Sequence, residues 1–132
     1  MKNLMIFKLL IIIILHGFVA ELHAQGQDFS RKVEQMPTYP GGEEALEAFL
    51  KEHIQYPEEG IAQKVEGIVY VIFIVEKDGS ITQVEALEGI GDAFEKEAER
   101  VVRLMPKWNP GKEKGEKIRV LFNLPIEFKL SR

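Results

Sequence analysis

Few side chains in this sequence are suited to making or breaking covalent bonds. Beyond residue 24 there is one histidine, His53, at the end of a helical pattern. A lone imidazole is a poor metal site, and no serine stands beside it to form a nucleophile–base pair. Ser80 belongs to a turn and Ser30 to a polar N-terminal stretch. The chain has no cysteine, which excludes a thiol nucleophile, a thiolate metal site and a disulfide framework. Gly111 to Lys117 is rich in glycine and lysine but lacks the Gly-Lys-Ser/Thr ending of a phosphate loop. Gly89-Ile90-Gly91 is only a fragment of a dinucleotide fingerprint. Acidic pairs such as Glu43-Glu44 suit the first turn of a helix, where the dipole favours negative charge. No catalytic residue, no metal site and no cofactor is expected. Hydrogen bonding from backbone to backbone remains, and one stretch is built for it.

That stretch is IRVLFNLPIEFKL, Ile118 to Leu130. Ile118, Val120, Phe122, Leu124, Ile126, Phe128 and Leu130 are apolar; Arg119, Asn123, Glu127 and Lys129 between them are polar. A period of two marks a strand with one buried face. Pro125 interrupts it. Proline has no N–H to give to a ladder, so a strand containing it belongs at a sheet edge. An edge strand with alternating side chains and open backbone can accept an extended peptide as an added strand. It can equally be an edge that is merely defended, by proline and by Arg119, Glu127 and Lys129. The pattern alone does not separate the two.

The elements that would position this edge are legible around it. Leu46, Phe49, Leu50 and Ile54 form one helical stripe after the breaker cluster Tyr39-Pro40-Gly41-Gly42. Tyr56-Pro57 ends that helix, and Pro57-Glu58-Glu59 opens a second short one with proline at its first position. Gly67 to Glu76 is β-branched and aromatic with no polar face, which predicts a central strand buried on both sides. Asp78-Gly79 predicts a hairpin into a second strand over Ile81 to Leu87. Asp92 with Glu95 predicts a capping box, opening a helix with Phe94, Ala98, Val101 and Met105 on one face. Pro106 stops it, and Lys112 to Lys117 reads as a charged loop. A right-handed crossover returns the last strand to the free side of the central one. The expected fold is α+β: a three-stranded antiparallel sheet in order 2-1-3 with two helices packed on one face. Its central strand keeps a second apolar face, which suggests a homodimer or cover from the N-terminal segment.

The first 24 residues read as a separate object. Lys2 and Lys8 precede the apolar run Leu9 to Leu15, and Leu22-His23-Ala24 forms a signal-peptidase site before Gln25. The run is short of the ~20 residues a spanning helix needs, which favours a cleaved signal peptide over a short anchor. Residues 25–36 are expected to be a flexible segment and residues 37–132 the folded domain. Hydrophobic content of 45% is enough for a real core. Between Arg100 and Arg132 there are nine basic and three acidic side chains, on an otherwise acidic chain. That asymmetry fits either an acidic partner or a solvated face. Nucleic acid is not an expected partner of an exported, acidic chain.

A set of motifs then falls into order: Gln55-Tyr56-Pro57, Val65-Glu66-Gly67, Lys77-Asp78-Gly79, Glu97-Ala98, Met105-Pro106-Lys107-Trp108-Asn109-Pro110-Gly111 and Leu124-Pro125-Ile126. Together they resemble the TonB C-terminal domain family over roughly Pro37 to Leu130, and Tyr39-Pro40-Gly41-Gly42 resembles its Bacteroidetes-type version. The resemblance implies a periplasmic, energy-transducing domain with no enzymatic activity. It implies a role in transmembrane transport, with the TonB box of an outer-membrane receptor bound as a strand beside the last strand. Carried over, Ile118, Arg119, Val120, Leu121, Phe122 and Asn123 would be the gripping edge, and Gln55, Tyr56 and Pro57 would lie near the bound peptide. An anchored form, held in the inner membrane and facing the periplasm, would also meet inner-membrane motor subunits. The competing expectation is a free-standing structural domain whose edge only makes dimers.

Overall fold

The computed structural model describes residues 33–130. The expected signal peptide and the start of the polar segment lie outside the described residues.

Helix α1 spans Glu43–His53 behind Gly42, and α2 spans Glu58–Ala62 behind Pro57. Pro57 is thus the residue before the helix and not its first turn. Strand β1 is Gly67–Val75 and β2 is Ile81–Ala86. They are joined by a turn in which Asp78 accepts from the Ser80 backbone and hydroxyl. Gly79 in this turn has φ +88, and a Cβ there would lie 2.0 Å from the Trp108 carbonyl oxygen. Only glycine fits both the backbone and the space. Helix α3 is Asp92–Arg103. The expected capping box does not form: Gly91 caps the helix, and Glu95 instead accepts from the Gly89 N–H at 2.7 Å.

Lys112 to Lys117, expected as a charged loop, fold with Gly111 and Ile118 into a small hairpin of β3 (Gly111–Glu113) and β4 (Glu116–Ile118). Lys114 and Gly115 both have positive φ, the requirement of a tight two-residue hairpin turn. Charge masked this strand pair in the sequence, because neither strand buries a full apolar face. The N-terminal stretch adds to the same hairpin, with Gln35 bridged to Lys112 and Thr38 to Asn109. The last strand, β5, is therefore Val120–Phe128, two residues shorter at its start than the apolar pattern suggested.

The main sheet has the order β2-β1-β5, all antiparallel, which is the expected 2-1-3 arrangement. Val69, Val71, Phe73, Leu124, Ile126 and Phe128 face the helices and pack with Phe94, Ala98, Val102 and Trp108. Each such side chain removed from water contributes about 1.5–3 kcal/mol. The other face departs from expectation. Ile68 and Tyr70 are 44% and 45% exposed, so β1 is not buried on both sides. Only Ile74, in register beside the Arg119–Glu76 pair, is buried there.

Candidate functional site: the open edge of the sheet

One bond decides which backbone groups of β5 are open. The Leu87 N–H donates to the Tyr70 carbonyl at 2.8 Å, so the Tyr70 backbone faces β2. Along a strand, each residue turns its N–H and C=O to one side, and successive residues alternate. Even residues of β1 thus face β2, and odd ones face β5. The register runs unbroken from Gly67 opposite Phe128 to Val75 opposite Val120. It turns the even residues of β5 toward β1. Leu121, Asn123, Pro125 and Glu127 are left with their backbone groups directed away from the sheet. Leu130 keeps the parity: its N–H points inward and donates to Glu66 at 2.8 Å.

The expected edge residues therefore separate. Leu121 is 45% exposed and Asn123 is exposed, and both present outward backbone groups. Val120 is buried opposite Val75, and Phe122 packs its ring on Phe73 and Trp108, at 5.6 and 5.0 Å between centroids. These two belong to the core. Ile118 lies in β4, paired with Gly111 and outside the main sheet. Arg119 is committed to Glu76 through two bonds of 2.8 and 2.9 Å. That guanidinium, with the Thr82 hydroxyl, holds the Glu76 carboxyl below its ordinary range.

Beside the C-terminal half of β5 runs a groove of about 1020 Å³. One wall is Pro125, Glu127 and Phe128; the other is Leu50 of α1 and Ile54 just past its end, with Tyr56 at its side. No residue of α1 is fully buried, although its apolar stripe is complete. The stripe shares its surface between the core and this groove. Tyr56 packs edge-on against Phe94 and Phe128, and its hydroxyl donates to the Val65 carbonyl. Its phenol is raised above the ordinary value, first by burial and then by the Glu66 charge. Gln55 donates its backbone N–H to Glu97 at 2.7 Å, and Pro57 precedes α2. Of the three expected contact residues, Tyr56 alone lines the groove. Leu50, Ile54 and Phe128 had the periodicity of core residues, which hid their second role. Trp108, 3% exposed, is a core aromatic, and its indole N–H has no partner among the described residues.

The opposite edge is partly covered by side chains of α3. Glu99 of α3 accepts from the outward N–H of Ala86 at 3.0 Å, and Arg103 donates to the Val84 carbonyl at 3.4 Å. Gln83, with φ +53, lies in a bulge just before Val84. Among the described residues no side chain does the same for Leu121 or Asn123.

A small α+β domain with helices on one face of its sheet, one edge partly covered and the other left uncovered by side chains of the described residues, is the class that this geometry defines. The family described as Gram-negative bacterial TonB protein C-terminal matches residues 52–130, more than half of the sequence, and the chain belongs to that family. In fold it is similar to the NMR solution structure of a Helicobacter pylori TonB C-terminal domain. That similarity has 22% identity and a TM-score of 0.52, over 67% of this chain and 92% of the other. A longer form of the same Helicobacter pylori domain gives 23% identity and a TM-score of 0.49, over 65% of this chain and 78% of that one. No curated protein matches the sequence. Domains of the family act in the periplasm, interact with outer-membrane receptors in transport, and bind and transduce rather than catalyse. No helix among the described residues is long and apolar enough to cross a membrane.

Proposed function

We propose that this chain is exported to the periplasm and binds the TonB box of an outer-membrane receptor by strand addition at β5. The bound segment hydrogen-bonds to the outward groups of Leu121 and Asn123 and continues past Pro125 along the groove beside α1. Side chains on the helix side of the segment enter the groove near Leu50, Ile54 and Tyr56. Those on the other side lie beside Leu121 and Asn123.

One observation carries this reading: α3 side chains take outward backbone groups of Ala86 and Val84 on β2, whereas no side chain among the described residues takes those of Leu121 and Asn123 on β5. An open row of this kind is what strand addition needs. The apolar flank of the groove supplies the side-chain selectivity that backbone bonds lack.

The test is a titration of the chain with a synthetic peptide copying the N-terminal segment of an outer-membrane receptor from the same cell. Binding is expected to be lost in Leu121→Pro, which removes an outward donor and leaves the ladder to β1 complete. Equal binding by Leu121→Pro and the parent chain, with both folded, would rule the reading out.

A further inference from the structure

We propose that Pro125 sets the specificity of the β5 edge, admitting a foreign segment while excluding a second copy of the chain. The inference rests on the strand-addition reading, because it concerns the same outward groups.

Pro125 is one of four outward residues of β5 and lacks an N–H, so any strand beside it leaves one carbonyl without a donor. A proline-free segment lying along the edge loses that single bond. A second copy brings its own proline. Antiparallel pairing of two β5 strands about a twofold axis sets outward residues opposite one another. With the axis at residue 125 the two prolines face each other. With it at 123, 124 or 126, each proline faces Leu121, Asn123 or Glu127 of the other copy. In all four registers two bonds are lost, one at each proline. An axis at residue 122 brings no strand residue opposite proline, but it pairs only Leu121 to Asn123. The same residue thus penalises self-pairing twice and foreign pairing once.

Such a filter matters because β5 is otherwise well suited to self-pairing. It is nine residues long and apolar at every inward position. Its outer face continues into exposed Ile68 and Tyr70 of β1. Long, flat edges of this kind pair with one another unless something prevents it. Pro125 also sits at the mouth of the groove, where a second nine-residue strand would have to continue.

Sedimentation velocity on the chain purified from cell envelopes, with its Pro125→Val and Pro125→Ala variants, tests this. The substituted nitrogen points away from β1, so the ladder is preserved, and circular dichroism checks the fold. The parent chain is expected to be monomeric, and the variants to self-associate at least about tenfold more tightly, since two bonds are restored per dimer. Adding Leu121→Pro to Pro125→Val should return the monomer. A parent chain already dimerised through β5, or folded variants that self-associate no more than the parent, would overturn the inference. The receptor-peptide titration separates the two claims. Loss of peptide binding by the parent, with dimers still forming in Pro125→Val, sinks the receptor reading and leaves the exclusion of self-pairing standing.

Discussion

β2 and β5 flank the same central strand, yet their outer backbone rows meet different surroundings. On β2, Glu99 and Arg103 of α3 bond the Ala86 N–H and the Val84 carbonyl, and a bulge at Gln83 interrupts the row just before Val84. On β5, Leu121 and Asn123 face outward with no side-chain partner among the described residues, and a groove flanked by a half-buried helix runs beside the strand from Pro125 on. Both strands obey the same register rules, so the difference lies in what each edge has been given as a neighbour. A sheet with two closed edges would be inert, and one with two open edges would polymerise. One covered and bulged edge beside one uncovered edge favours addition of a single strand at β5.

The largest effect expected from breaking this asymmetry comes from Asn123→Pro or Leu121→Pro. Either removes an outward donor, and affinity for a receptor peptide should fall at least about tenfold, with little change in melting temperature. Val120→Pro is the contrasting substitution. Its N–H faces β1, so it should unfold the domain, as seen by circular dichroism, before binding can be tested.

Next is the groove. Leu50→Ser and Ile54→Ser remove half-buried apolar surface beside the edge. Peptide affinity should weaken about threefold to tenfold by calorimetry, with a stability loss of about 1 kcal/mol or less. An unchanged affinity would mean that the added strand does not touch α1.

Uncovering the β2 edge should have a smaller effect. Glu99→Ala with Arg103→Ala strips both side-chain bonds from β2. Stability should drop by about 1–2 kcal/mol, and concentration-dependent association should appear in sedimentation. Binding at β5 should be unaffected.

The smallest effect is on pH. Glu76 is held below its ordinary carboxyl value of 4.5, first by its bonds from Arg119 and then by Thr82. A carboxyl lowered by folding stabilises the native state above its unfolded value. That contribution disappears as pH falls through the lower, folded value. Glu76→Gln should therefore flatten the acid limb of the melting temperature below about pH 4.5 and leave neutral pH nearly unchanged. The pair is solvent-exposed, so the shift should be slight.

Much of this was readable from the residues. Pro125 within a period-two run placed the last strand at an edge, and Asp78-Gly79 fixed the hairpin that makes β1 central. The helical stripes of α1 and α3 were visible for the same reason, since burial on one face imposes a period. What escaped was whatever periodicity does not encode. The β3–β4 hairpin buries too little to show an apolar face. The exposed face of β1 reads as buried because Ile68 and Tyr70 are themselves apolar. The division of the edge into outward Leu121 and Asn123 and inward Val120 and Phe122 needs the register with β1. So does the partial cover of β2, which depends on Glu99 and Arg103, thirteen and nineteen positions from their partners. The groove was hidden because Leu50 and Ile54 serve two surfaces at once.

Amide hydrogen exchange by NMR, with and without the receptor peptide, tests the central claim most directly. Strand addition at β5 predicts that the Leu121 and Asn123 amides exchange freely in the unbound chain and become strongly protected on binding, while Ala86 is unchanged. Protection gained on the β2 side, or bound peptide with Leu121 and Asn123 still exchanging freely, would contradict the account.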